Sequence, residues 1–324
     1  MITDGRFTVR TCPCCGGDER RRLFDLPLDA FCSVNWSYVP DFARVLGLPG
    51  TARFPLARCA GCGFVYAELL PSTDFLALLY DRVVRHDRDR EAVETRASVA
   101  RRMRYVAILL ELASSERMPT ALDFGCGPGA TLRLFAAAGV SAVGYDPSPV
   151  RRVYVESQGL AVTATFDELR ARGPFDLVVC DNVLEHIPDP GAAIRFLASV
   201  TVPGSVVFVS VPDCGDRFIE SQRKLLAAGQ PVDMSLNPLE HLNFFDVPHL
   251  DRLLGQGGFL PVARARLPGD VNIGLRPEPN LRNRVNNSLA SAVRLARYAA
   301  STETVRTVTH EFYRRSGAGT TCAR

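Results

Sequence analysis

The chain has 324 residues, 47% of them hydrophobic, and a formal charge of +3 at pH 7. That length and apolar share suit one sizeable domain plus a smaller module around a packed core. The charge excludes a strong polyanion binder, because Arg is interspersed with Asp and Glu instead of forming a basic stripe, and Lys224 is the only lysine.

The start, MITDGRFTVRTCPCC, holds no apolar signal segment, and no apolar run is long enough to span a bilayer. A cytoplasmic protein without membrane contact is the expectation. Of ten cysteines, six lie in the first 62 residues. Four of these form matched C-x-x-C-G knuckles, Cys12 and Cys15 in CPCCGG and Cys59 and Cys62 in RCAGCGF. Two such knuckles supply four thiolates for a tetrahedral Zn²⁺ with no open position, hence a structural site. Gly16 and Gly63 let the chain turn so that backbone N–H groups face the sulfurs. A redox C-x-x-C would need one pair beside a βαβ unit, and Cys14 competes with its neighbours as a ligand. Cys32 reads as a small buried residue, and Ala30–Pro55, with Trp36 and Tyr38, as a long loop between the knuckles. Residues 1–70 form this zinc-binding module.

Residues 71–118 read as a helical lid or linker. Ser72–Tyr80 and Glu91–Ala113 have helical spacing, and charged Arg85–Arg90 separates them. Thr120–Phe124 reads as a buried strand, Ala130–Ala138 as a helix stopped by Gly139, and Ser141–Tyr145 as the next strand. Val150–Ser157 is a helix, Leu160–Thr165 and Phe175–Cys180 are strands, Ala192–Val200 is a helix and Ser205–Val211 a strand. Asp213–Asp246 breaks the rhythm. His249–Gly255, Phe259–Ala265 and Val271–Leu275 restore it as a helix and two closing strands. Alternation at this spacing predicts an α/β, Rossmann-like fold with a seven-stranded, mostly parallel sheet. The core is expected over 119–276, with an acceptor-site insertion at 213–246. The tail, 277–324, reads as helical: Val285, Leu289 and Val293 mark one face, and Val305, Val308 and Phe312 another. These helices offer a homodimer contact.

The stretch ALDFGCGPGATLRLF places a strand, a glycine turn and a helix in succession. Unpaired N–H groups at a helix N-terminus and close backbone approach at glycine hold ligands of several kinds. Gly125, Gly127 and Gly129 follow G-x-G-x-G, not the G-x-G-x-x-G of dinucleotide binders, which argues against nicotinamide. Asp146 ends the next strand, 17 residues after Gly129 (146 − 129), where a carboxylate can accept both hydroxyls of a ribose. Here the chain resembles the class I S-adenosylmethionine-dependent methyltransferases. Their first motif is similar to LDFGCGPG. The resemblance extends to FDLVVCDNVLEHIPDP (Phe175–Pro190) and to EHLNFFDVPHLDRLLGQGGF (Glu240–Phe259). With the knuckles in front, the whole is similar to a zinc-ribbon subgroup that includes sugar C-methyltransferases.

The resemblance implies that Gly125, Gly127 and Gly129 lie under the methionine and ribose of S-adenosylmethionine. It implies that Asp123 orients the amino end and that Asp146 holds the ribose. Phe166 and Asp167 would sit beside the adenine, and Asp181 and Asn182 would line the methionine side. Such an enzyme would methylate carbon, oxygen or nitrogen of a small metabolite in a biosynthetic pathway, of a natural product or a sugar.

Among five histidines, His86 and His310 read as solvated and His249 as structural. His186 lies just past the fourth strand, where the methyl is expected. Glu240 and His241 lie in the insertion that would roof the acceptor, and in the sugar enzymes a Glu-His pair in a similar segment does acid–base work. Tyr80 and Tyr105 read either as cofactor caps or as core. The sugar enzymes carry a further C-terminal α/β domain where this chain has mainly helical residues, so a smaller acceptor fits as well. Two alternatives stand beside this reading: an RNA methyltransferase with a zinc module, disfavoured by the weak charge, and a non-catalytic protein-interaction module, disfavoured by intact glycine and Asp146 motifs.

Overall fold

The computed structural model describes residues 5–32, 37–113, 117–262 and 309–317. Thirteen strands follow in chain order among them: β1 (Phe7–Val9), β2 (Arg20–Pro27), β3 (Arg53–Cys59), β4 (Val65–Ala67), β5 (Leu69–Pro71), β6 (Thr120–Phe124), β7 (Ser141–Tyr145), β8 (Val162–Thr163), β9 (Phe175–Asp181), β10 (Thr201–Val211), β11 (Asn243–Phe244), β12 (Phe259–Pro261) and β13 (Thr309–Arg315).

Seven of these form one sheet in the order β12-β13-β10-β9-β6-β7-β8. The pairs β10–β9, β9–β6, β6–β7 and β7–β8 are parallel, and β13 runs antiparallel to both β10 and β12. Strands of such a sheet are buried on both faces and read as apolar runs. Leu177, Val178, Val179 and Cys180 of β9 are fully enclosed. The chain leaves β6 toward β7 and β8, then returns to the other side through β9, so strand order reverses between β6 and β9. Ligands in open α/β sheets bind beyond the strand ends at such a reversal.

The seventh strand corrects the sequence expectation. It comes from Thr309–Arg315, which helical spacing had assigned to the tail. Phe312 packs on Phe208 with ring centroids 5.2 Å apart, whereas Tyr313 enters the opposite core and donates to Asp251 Oδ1 at 2.7 Å. Adjacent aromatics buried on opposite faces are a strand pattern, and a short apolar run does not separate helix from strand by period alone. Val271–Leu275 and residues 277–308 of the expected tail lie outside the described residues.

The region before residue 119 differs from its sequence reading in two places. Charged Arg85–Arg90 is not a separator but opens the helix His86–Val93, which precedes the helix Arg96–Ala113. Ala30–Pro55 is not one long loop, because a short helix at Phe42–Val45 and the start of β3 lie within it. The long helix buries Tyr105, Val106, Leu109 and Leu112 on the sheet against Ala121, Leu177, Val206 and Phe208.

The cysteine module does not stand apart. β2, β3 and β4 form an antiparallel sheet whose remaining strand is β11, from the far end of the insertion, with Asn243 opposite Tyr66 and Phe244 opposite Val65. One apolar core contains Leu26, Phe54 and Leu69 from the module, Phe75 and Leu79 from the lid, and Phe218, Leu236 and Leu239 from the insertion. The insertion is folded as well: Asp216–Ala227 is helical, with Phe218, Ile219 and Gln222 buried.

Candidate functional site

The glycine turn joins β6 to the helix Ala130–Ala137, and Gly125, Gly127 and Gly129 all adopt positive φ (77°, 53° and 77°). At Gly125 a side chain would also meet Val183 Cγ2 at 2.5 Å, whereas nothing lies within 4 Å of the Cβ position at Gly127. The turn is therefore closed below and open above. Asp146, buried at the end of β7, holds it: Oδ2 accepts the Gly127 N–H at 3.0 Å and Oδ1 accepts the Ser148 N–H at 2.9 Å. Burial lifts its pKa, opposed by Arg151, whose Nη1 lies 3.7 Å from Oδ2. Arg151 continues to Asp89 at 2.5 Å, so the helix His86–Val93 closes over this end of the sheet. Asp89, Arg151, Pro128 and Tyr154 line a small pocket there.

Asp123 lies beneath the turn, buried, and its Oδ2 has no partner within the described residues. Burial, then the neighbouring Asp181, pushes its carboxyl up to about 8. Asp181 is clamped by Arg101 of the long helix, with two N–H···O contacts of 2.9 and 2.6 Å, and accepts from Asn182 at 3.1 Å. Asn182 has a positive φ of 54°, so the backbone turns sharply where β9 ends. Phe166 and Asp167 are placed differently from the other cofactor candidates. The Phe166 ring stacks on Phe196 at 4.0 Å, and Asp167 is exposed and paired with Arg170. Tyr105 donates to or accepts from Thr131 Oγ1 at 2.7 Å and stacks on Phe208, which makes it core.

His186 and His241, 55 residues apart (241 − 186), meet edge to face with ring centroids 4.6 Å apart. His241 Nδ1 lies 2.9 Å from the Ser235 carbonyl. A carbonyl only accepts, so Nδ1 carries the proton and Nε2 keeps its lone pair. His186 Nδ1 is 3.2 Å from the Tyr80 hydroxyl. Burial lowers the pKa of both rings, that of His186 further, helped by His241 and Arg151. Two neutral imidazoles therefore face each other. Glu185 stands beside them, buried, with neither carboxylate oxygen hydrogen-bonded within the described residues and Oε1 4.0 Å from His186 Nε2. One donor atom each from Glu185, His186 and His241 lies within 4.8 Å of the others, a spacing that could also hold a metal ion. Glu240 meets His186 through its backbone, and its side chain is held by neighbours. It accepts from Asn237 Nδ2 at 3.1 Å and faces the Tyr38 hydroxyl, which itself accepts from Asn237 at 2.7 Å.

Arg101, Arg151 and Glu185 escaped the sequence reading, and Tyr80 was read as a cofactor cap or core without its tie to His186. Tyr80 sits in a π-helical turn, Leu79–Val83, that ends the helix Thr73–Leu78, and such turns are frequent at functional sites. His86 is not solvated, since Nε2 reaches the Tyr80 carbonyl at 3.0 Å. His249 is structural as expected: Nδ1 lies 2.5 Å from Asp246 and Nε2 2.9 Å from the Cys62 carbonyl.

The sulfurs of Cys12, Cys15, Cys59 and Cys62 converge, with Cys12 3.6 Å from Cys62 and Cys15 3.5 Å from Cys59. Thiolates about 2.3 Å from a tetrahedral zinc stand about 3.8 Å apart, so these four fit that ion. Backbone N–H groups of Cys14 and Cys15 face the Cys12 sulfur, and those of Cys62 and Gly61 face Cys59. Cys14 is outside the four. It is buried, and its carbonyl accepts from Gln256.

Among the described residues no helix is long and apolar enough to cross a membrane. A family model described as a methyltransferase domain matches residues 94–263. The chain is 36% identical over 118 residues to the ubiquinone biosynthesis O-methyltransferase of Xanthomonas euvesicatoria, covering 34% of this chain and 48% of that one. With the protein of the same name from Pseudomonas paraeruginosa it shares 38% over 100 residues, 28% of this chain and 43% of that one. The chain thus spans about half the length of the curated relatives it matches. A solved structure of 1,6-didemethyltoxoflavin-N1-methyltransferase from Burkholderia thailandensis, with 1,6-didemethyltoxoflavin and S-adenosylhomocysteine bound, is 15% identical with a TM-score of 0.44, covering 82% of this chain and 96% of that one.

Proposed function

The chain belongs to the methyltransferase-domain family, and on that premise we propose that it moves a methyl group from S-adenosylmethionine to a small metabolite in a biosynthetic pathway. The relatives named for ubiquinone biosynthesis support a small organic acceptor. When bound, the cofactor supplies a methyl already activated on a sulfonium.

The residues present fit that group. Gly127 leaves open space above the turn, and the buried, unpartnered Asp123 oxygen suits the ammonium of the methionine. Asp146, at the end of β7 beside the turn, is the acceptor for ribose hydroxyls. Arg101 holds Asp181 at the methionine side, and Arg151 with Asp89 shields the site from water.

The observation that carries the acceptor half is the meeting of His186 with His241. His241 Nε2 takes the acceptor's proton, and the Ser235 carbonyl holds the ring in the tautomer that allows it. A base positioned in this way typically contributes ~10²–10⁴ in rate. His186 and Tyr80 relay that proton or bind the acceptor. Glu240 orients Asn237 and Tyr38 rather than reaching the reacting atoms. Zinc in the four thiolates is structural, because all four positions are taken by sulfur.

Labelled methyl donor incubated with the enzyme and either a small-molecule extract or total RNA tests this. Label in an organic-extractable product is expected. Label in RNA instead would favour the RNA methyltransferase reading, and label in neither the non-catalytic one.

A further inference from the structure

Arg10 lies two residues before Cys12, yet its guanidinium crosses from the cysteine module to the two segments that carry the histidines. Nε donates to the Ala67 carbonyl at 2.9 Å, Nη1 to the Pro188 carbonyl at 3.2 Å, and Nη2 to Asn243 Oδ1 at 3.1 Å and to the Leu242 carbonyl. The group rests over the Tyr66 ring, 5.4 Å from its centroid.

Asn243 completes the join. Its Nδ2 donates to the carbonyls of Leu184 and Ile187, both at 2.8 Å. The N–H groups of Leu242 and Asn243 donate to the Glu185 carbonyl at 2.7 and 3.1 Å. Carbonyls on both sides of His186 are thus held by Arg10, Leu242 and Asn243. His241 directly precedes the other anchored residues. The carbonyls of Pro188 and Leu242 repel each other and need a donor that forks between them. Guanidinium does this in one rigid plane, whereas an ammonium carries three donors on a single nitrogen and cannot reach four acceptors spread around the guanidinium edge.

We propose that Arg10 is a positioning residue that sets the separation of His186 and His241, and so makes the cysteine module part of the acceptor site. The proposal rests on the reading of the two histidines as the acid–base centre. It differs from general bracing in what it predicts: the histidine geometry depends on Arg10, whereas the glycine turn, which Arg10 does not touch, does not.

The test uses the full chain as wild type, Arg10→Met and Arg10→Lys. Histidine ring signals are followed by ¹H–¹³C NMR, assigned with His186→Gln and His241→Gln, and S-adenosylhomocysteine binding by calorimetry probes the cofactor half. Arg10→Met is expected to shift both ring signals and abolish the ring-to-ring Overhauser contact while leaving S-adenosylhomocysteine affinity unchanged. Arg10→Lys is expected to recover part of the contact. Ring signals and contact identical to wild type in Arg10→Met would overturn the proposal. So would S-adenosylhomocysteine affinity lost in step with the ring contact in both variants, since that marks general loosening. If Arg10→Met does not fold, Arg10→Lys decides by the same two readouts. Failure of wild type to bind S-adenosylhomocysteine would sink the methyltransferase reading, whereas the ring contact would still decide the role of Arg10.

Discussion

The proposed cofactor half of the site is built mainly from backbone, and the proposed acceptor half from side chains. The centre of the first is one strand, its glycine turn and the end of the adjacent strand, between Thr120 and Asp146, with Asp181 and its partner Arg101 joining from outside that stretch. The second gathers Arg10, Tyr38, Tyr80, Glu185, His186 and the stretch Asn237–Asn243, joined by hydrogen bonds between residues as far apart as Arg10 and Asn243. A backbone site needs residues of special conformational freedom at short spacing. A side-chain site needs only that the fold bring its members together. The first should therefore respond to mutation chiefly in affinity, and the second chiefly in rate.

The harshest way to break that division is to remove the metal. Structural zinc in such sites contributes on the order of 10 kcal/mol to local folding. Metal analysis should find one zinc per chain, and Cys59→Ser should abolish it and lower turnover far more than S-adenosylhomocysteine affinity. A metal-free wild type with Cys12 and Cys59 oxidised would remove the premise. Next in size, His241→Ala should cut the single-turnover rate by ~10²–10⁴ with cofactor affinity intact. A near-wild-type rate would take His241 out of the chemistry. Asp146→Ala should do the opposite. Losing a charge-assisted acceptor, typically ~1.5–3 kcal/mol, weakens S-adenosylmethionine roughly ten- to hundredfold and leaves the rate at saturation nearly unchanged.

A fourth effect, on stability instead of affinity or rate, sharpens the cofactor half. Asp123 has a folded pKa raised to about 8 by burial, then by Asp181, against an unfolded value near ~3.9. The native state keeps a proton that the unfolded chain releases, so this group's contribution is whole below the lower value and is lost as pH rises through the upper one. Asp123→Asn keeps the shape without that proton. Its stability relative to wild type should grow from pH 5 to 8, by at most ~1.4 kcal/mol per pH unit and ~3–4 kcal/mol in all, measured by thermal unfolding in the absence of cofactor. A constant or shrinking difference would mean that Asp123 is ionised in the folded protein.

Sequence legibility follows the same division. The glycines and Asp146 could be read because strand, turn and strand-end carboxylate are close in the chain, and the four cysteines because paired knuckles have few other uses. The structure brings His186 and His241, which the sequence offered as separate base candidates, into ring contact. The Glu240 carboxylate is held by Asn237, whose Nδ2 also reaches Tyr38, 199 residues away in the chain, while the Glu240 backbone meets His186. Arg101 and Arg151 were illegible for a related reason. An arginine on a helix acquires its meaning from the carboxylate it meets, here Asp181 and Asp89, and no local pattern names that partner. The last strand was misread because Phe312 continues a helical spacing that Tyr313, buried on the other face, contradicts once the sheet exists.

Calorimetric titration of S-adenosylhomocysteine into wild type, His241→Ala and Asp146→Ala addresses the central claim most directly. The account predicts one molecule bound per chain, the same affinity in His241→Ala, and an affinity lower by at least about tenfold in Asp146→Ala. No binding to wild type, or equal weakening in both variants, would contradict it.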